Sequence, residues 1–167
     1  MKTIFLAGGC FWGVQKFFDQ FDGVVSTEAG YANGPDVRPG YQDVRAGSGH
    51  AETVKVAYDE NRITLTELLA RYFMIIDPLS LNRQGEDAGI QYRTGIYYTE
   101  PGQLPEIDAA FRAEEEKAGA PLAVEKMPLR NFFTAEEYHQ KYLDKNPGGY
   151  CHIPRALLNL KEGAGSR

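Results

Sequence analysis

Cysteine is scarce in this chain: 167 residues contain only Cys10 and Cys151, one near each end, with no Cys-x-x-Cys pair. Two such thiols do not form a disulfide scaffold, and neither a dithiol motif of thioredoxin type nor a tetrahedral zinc site is indicated. Histidine is as sparse (His50, His139 and His152), so no metal is expected. No apolar run is long enough to span a bilayer, and the short one after Lys2 ends in glycine, unlike a signal peptide. A cytoplasmic location away from membranes is the expectation. Acidic residues outnumber basic ones, giving a net charge of -5, and no Lys/Arg cluster offsets this average. That excludes nucleic acid as a natural partner and leaves a neutral or small substrate. The composition, 43% hydrophobic and 25% charged, suits one domain over residues 1–167 with a substantial core, expected as a monomer.

The run Gly8-Gly9-Cys10-Phe11-Trp12-Gly13 organises the rest. Thr3 to Ala7 has strand composition, and Val14, Phe17, Phe18 and Phe21 recur at helical spacing, so Cys10 falls at a helix N-terminus. Free N–H groups and the positive end of the helix dipole there favour a thiolate, and the flanking glycines allow close approach by a second molecule. Phe11 and Trp12, the only tryptophan, can wall an apolar pocket. A small inert buried cysteine remains the alternative.

Further along, Gly23–Ala32 alternates as a strand, and residues 33–49 form a long loop with Tyr41 as its largest side chain. Glu52–Tyr58 is a second alternating strand, and Thr66 is expected to cap a helix through Ile76 that Asp77-Pro78 ends. An irregular stretch over 79–93 leads to a strand at Thr94–Tyr98, a helix from Pro101 to about Lys117 and a strand at Ala123–Met127. Thr134, with Glu137, is expected to cap a helix over Ala135–Tyr142, and a tail from about residue 146, flexible by composition, carries Cys151. This order implies an α+β fold: a ferredoxin-like split βαβ plait of two layers, with helices packed on the sheet and an irregular C-terminal tail.

Three residues offer chemistry to Cys10. Glu52 shares a strand face with Val54 and Val56 by the period-two rule, so its carboxyl turns toward the core or a pocket; desolvated there, it would stay protonated as a general acid. On a solvated face it would do nothing. Cys151 in its glycine-rich tail can condense with a sulfenic acid to give a disulfide, or is an incidental surface thiol. His50 is the one histidine placed to act as a protease base, though nothing in the sequence orients it.

Together the GGCFWG run, Gly49-His50-Ala51-Glu52, Gln91-Tyr92-Arg93 and Gly149-Tyr150-Cys151 resemble the peptide methionine sulfoxide reductases of the A type, over essentially the whole chain. The resemblance implies reduction of the S epimer of methionine sulfoxide, free or in peptides and proteins, without metal or other cofactor. It makes Cys10 the nucleophile, Glu52 the proton donor, and Tyr41 and Tyr92 hydrogen-bond donors to the sulfoxide oxygen. It also makes Phe11 and Trp12 the pocket for the methyl group, Asp87 a substrate-orienting group, and Cys151 the resolving cysteine whose disulfide thioredoxin reduces. Tyr142 and Tyr150 are expected near the pocket. The chain departs from the family in having Ala88 where many relatives carry a histidine, and in lacking a further cysteine after Cys151. From the residues alone, a thiol peroxidase or redox sensor, or a non-catalytic methionine-peptide binding module, remains open.

Overall fold

Alternation within the first strand sets the layering, because Ile4 and Leu6 are buried on one side of it and Phe5 and Ala7 on the other. The computed structural model describes residues 1–160; the end of the expected domain, 161–167, lies outside the described residues. In chain order the elements are β1 (Lys2–Gly8), α1 (Phe11–Asp19), β2 (Val24–Ala32), α2 (Tyr41–Arg45), β3 (Ala51–Tyr58) and α3 (Leu65–Met74). A two-residue hairpin follows, β4 (Arg83–Gln84) and β5 (Asp87–Ala88). Then come β6 (Thr94–Tyr98), α4 (Leu104–Ala118), β7 (Glu125–Pro128), β8 (Phe132–Thr134), α5 (Tyr142–Lys145) and α6 (Arg155–Leu158).

The large sheet runs β7-β6-β1-β3-β2-β8. Its centre, β6-β1-β3-β2, is antiparallel throughout, with α1 carrying the chain from β1 past β3 to β2, and α3 carrying it from β3 past β1 to β6. That is the expected split βαβ plait, extended by β7 parallel to β6 and by β8 antiparallel to β2. Val14, Phe17 and Phe18 of α1 and Leu68, Leu69 and Tyr72 of α3 pack on Ile4, Leu6, Val54 and Val56. Truncating a fully buried ring such as Phe17 to alanine would cost about 3–5 kcal/mol. The other face is smaller: Phe5, Ala7, Ala32, Ala51 and Tyr97, covered by Met127, Leu129 and Phe132.

Three expectations need correction. The cap of α3 is Thr64, not Thr66: the Thr64 hydroxyl accepts the Glu67 N–H at 3.1 Å and the Glu67 carboxylate accepts back from the Thr64 N–H at 3.4 Å, a capping box. Thr66 instead binds Glu106. The helix expected over Ala135–Tyr142 does not form, and Thr134 ends a strand rather than capping a helix. Residues 137–139 make a single 3-10 turn and Lys141 takes a left-handed φ of 54°. The cause is competition from neighbours: the Gln140 amide takes the Ala29 N–H at 2.9 Å and donates to the Ala29 carbonyl at 2.8 Å, and the Lys141 N–H goes to Gln15. Finally, the tail after residue 146 is docked rather than loose. Ile153 is buried in the core, Arg155 donates to the carbonyls of Pro147 and Gly149, and the Leu160 N–H meets the Gln20 side chain.

The expected long loop at 33–49 holds the short α2 and is pinned at both ends. Asn33, at φ 53°, donates to the Pro128 carbonyl and accepts from the Arg130 N–H, and buried His50 contacts Ser48 and the Pro35 carbonyl at 2.8 Å each. His50 is thus a loop clamp, not a base for Cys10.

Candidate active site

Cys10 is the N-cap of α1, as the strand-to-helix reading has it, but it is buried, 7% exposed, where a partly open thiol is expected. Its protonation runs opposite to the sequence expectation of a lowered pKa. Burial pushes the thiol well above its ordinary value, the Glu52 carboxylate pushes it further, and the Trp12 backbone N–H pulls it only part of the way back. Desolvation outweighs the helix end here, and the charged side chains acting on the sulfur are acidic.

Glu52 lies on the helix-facing side of β3, as its parity with Val54 and Val56 implies, and is 1% exposed. One carboxyl oxygen accepts the Phe11 N–H at 3.1 Å; the other has no partner among the described residues. Burial raises its pKa from 4.5 to about 8 despite that hydrogen bond, so the carboxyl is a neutral acid at neutral pH. The first turn of α1 therefore joins the thiol and the acid: Cys10 caps it, and its first N–H holds Glu52.

Two phenols lie within electrostatic reach of this pair. Tyr41 opens α2, and burial followed by the nearby Glu52 and Cys10 pushes it up to about 12. Tyr92, on the turn before β6, is raised by burial and by Glu52, Tyr41, Asp87 and Cys10. Both stay protonated donors. Arg93 holds the Tyr92 turn by donating to the Ile90 and Asn33 carbonyls and to Glu125. Asp87, in β5, accepts from the Tyr150 hydroxyl at 3.1 Å and faces His152 at 3.9 Å; burial raises it. Ala88 beside it is exposed.

Aromatic rings pack beside this turn, and one of them, His139, was not revealed by the sequence. Trp12 stacks on Tyr142 with centroids 3.7 Å apart and planes at 9°. Its indole N–H donates to His139 Nδ1 at 2.9 Å, and the His139 ring lies against Phe11 and Tyr41. His139 is 1% exposed, and burial lowers its pKa, which keeps Nδ1 free to accept. The spacing of His139 and Tyr142, three apart on an expected helix, held the only hint that both reach one side. Glu136 completes the wall, accepting the Tyr31 hydroxyl at 2.7 Å and the Tyr41 N–H at 2.9 Å.

Cys151 reaches the same turn from the tail. Its sulfur lies over Gly13, and Cys151 acts electrostatically on Cys10. Of the ten sequence-selected residues, Cys10, Phe11, Trp12, Glu52, Tyr142 and Cys151 meet at that turn, Tyr41 joins them through His139, and Asp87, Tyr92 and Tyr150 interact electrostatically with Cys10. Among the described residues no group of three or more His, Cys, Asp or Glu is arranged to hold a metal ion, and no helix is long and apolar enough to cross a membrane.

Residues 2–162 match the family model described as "Peptide methionine sulfoxide reductase". The peptide methionine sulfoxide reductase MsrA of Clostridium acetobutylicum is 53% identical over 159 residues, covering 95% of this chain and 98% of the relative. Among solved structures, reduced Mxr1 from Saccharomyces cerevisiae superposes with a TM-score of 0.87 at 38% identity, over 92% of this chain and 91% of that one. Mxr1 in complex with Trx2 gives 0.61 at 31% identity, over 84% of both chains. Matches that span nearly the whole chain, with a thiol and a protonated carboxyl joined by one helical turn, lead to one conclusion: this chain belongs to the peptide methionine sulfoxide reductase family.

Proposed function

We propose that this chain reduces the S epimer of methionine sulfoxide, free or within proteins, to methionine, with thioredoxin restoring the enzyme. The observation that carries the reading is the protonated Glu52, held by the Phe11 N–H beside Cys10. A sulfoxide is a poor electrophile until its oxygen is protonated, and a buried acid near pKa 8 is matched to that task.

The substrate methyl group rests against Phe11 and Trp12, and the sulfoxide oxygen accepts from Tyr41 and Tyr92. Asp87 and Tyr150 orient the polar part of the substrate, and Tyr142 backs the indole. The Cys10 sulfur attacks the sulfoxide sulfur while Glu52 gives its proton to the oxygen. The oxygen passes to Cys10, methionine leaves reduced by two electrons, and the thiol proton of Cys10 restores Glu52. Cys10 is left as a sulfenic acid. Cys151 then attacks that sulfur: an S–S bond forms, the S–O bond breaks, and the Cys151 proton leaves with the hydroxyl as water. Mxr1, a relative, is found in complex with Trx2, which supports a thioredoxin dithiol as the reductant of this disulfide.

A thiol peroxidase needs a cation beside its thiolate, whereas the carboxyls of Glu52 and Asp87 act on Cys10. A methionine-peptide binding module would need no acid there. We further propose a single catalytic domain in the cytoplasm, working as a monomer without metal or cofactor. Turnover of methionine sulfoxide against hydrogen peroxide, with dithiothreitol, tests the reading: sulfoxide is expected as the substrate by at least a hundredfold, and faster peroxide turnover would overturn it.

A further inference from the structure

Gly13, at the third position of α1, has a neighbour that would have to shift to admit any side chain. A Cβ built on it would stand 2.5 Å from Cys151 Sγ and 3.0 Å from Ile153 Cδ1. Glycine is otherwise a poor choice there, since it costs a helix interior about 1 kcal/mol against alanine. The position also matters, because in an N-capped helix the cap side chain turns toward the third residue. Cys10 is the N-cap residue of this same turn, without a capping hydrogen bond from its thiol, and Cys151 acts electrostatically on it, so the sulfur lying on Gly13 sits on the turn that Cys10 opens. The neighbouring contacts keep it there: Ile153 donates its N–H to Cys151 Sγ at 3.3 Å and buries its side chain, and His152 meets the Gly8 carbonyl at 2.9 Å. Gly9, at φ 86°, leaves room for the His152 ring, 3.0 Å from where its Cβ would be.

We propose that Gly13 is a positioning residue for the resolving step: it seats Cys151 against the first turn of α1 before any oxidation, so the sulfenic acid on Cys10 is met at once. Glycine is required at residue 13 for disulfide formation and not for the attack on sulfoxide. This rests on the resolving role of Cys151 proposed above. In the step it serves, the Cys10–Cys151 bond forms as the Cys10 sulfur–oxygen bond breaks, and the Cys151 thiol proton leaves with the hydroxyl as water; thioredoxin reduces the disulfide only afterwards.

The test is Gly13→Ala, with Gly13→Ser as a second variant, in a single turnover with methionine S-sulfoxide and no reductant. The methionine burst is expected to stay at one equivalent per chain and within threefold of the wild-type rate. Wild type should lose both thiols in that burst. The variants should keep the Cys151 thiol and accumulate a sulfenic acid on Cys10 that dimedone traps, with thioredoxin-dependent turnover down at least tenfold and dithiothreitol-dependent turnover much less affected. A disulfide forming in Gly13→Ala at the wild-type rate, or loss of the burst in both variants, would overturn the proposal. Cys151→Ser in parallel separates it from the reading beneath: wild-type thioredoxin turnover in that variant would remove the resolving role itself, whatever Gly13 does.

Discussion

Glu52→Gln is the sharpest perturbation of the proton donor. The amide keeps the carboxyl's shape and an oxygen to accept the Phe11 N–H, now 3.1 Å from the carboxyl, so α1 should start unchanged. What it loses is the proton. General acid catalysis is worth about 10²–10⁴-fold, and a loss of that size is expected in single-turnover methionine release at pH 7. The pH profile follows from the carboxyl's pKa of about 8: the wild-type rate should be flat below that value and fall about tenfold per pH unit above it, while the variant should be slow and flat. Stability gives an independent check. A folded-state pKa raised from 4.5 to about 8 stabilises the fold fully below 4.5, and that contribution is lost as pH rises to about 8. Over that window the wild type should lose roughly 1.4 kcal/mol per pH unit relative to Glu52→Gln, an upper limit, and then run parallel to it. Rapid-quench kinetics from pH 6 to 10 and urea unfolding of both proteins supply the data. A variant within threefold of wild type at pH 7, or a parallel stability profile from pH 4.5 to 8, would refute the protonated-acid reasoning.

Two further outcomes are expected. Cys151→Ser should release one equivalent of methionine per chain at the wild-type rate yet lose thioredoxin-supported turnover, since the attack needs only Cys10; steady turnover with thioredoxin would count against it. His139→Leu removes the acceptor of the Trp12 indole N–H, and an unpaired buried donor costs about 1–3 kcal/mol, so the ring should shift. KM should rise about tenfold while kcat changes less, with altered emission from Trp12, the only tryptophan; unchanged emission and KM would show that His139 does not position the ring.

Much of this site can be read from local rules. The turn of Cys10 and the inward face of Glu52 follow from periodicity, because a strand's alternation fixes which side chains share a face before any tertiary contact is known. The protonation of Cys10 does not, since the helix end argues one way and burial, which belongs to the assembled fold, argues the other and is larger. The segment at 135–142 misleads for a similar reason. Its helical pattern is sound by itself, but Gln140 finds the backbone of Ala29 in a strand more than a hundred residues earlier. The tail's composition hides its anchors, because Tyr150, His152 and Ile153 become fixed only by partners at Asp87, Gly8 and Gly13. The T-x-x-E signal at 64–67 was available in the sequence and identifies the true cap of α3.

The central claim is that the Cys10 sulfur takes the oxygen from a sulfoxide of one handedness. It is tested most directly by mixing stoichiometric enzyme with separated S and R epimers of methionine sulfoxide, without reductant, and counting methionine. One equivalent per chain from the S epimer, none from the R epimer and none from Cys10→Ser is the expected result. Methionine released by Cys10→Ser, or equal release from both epimers, would contradict it.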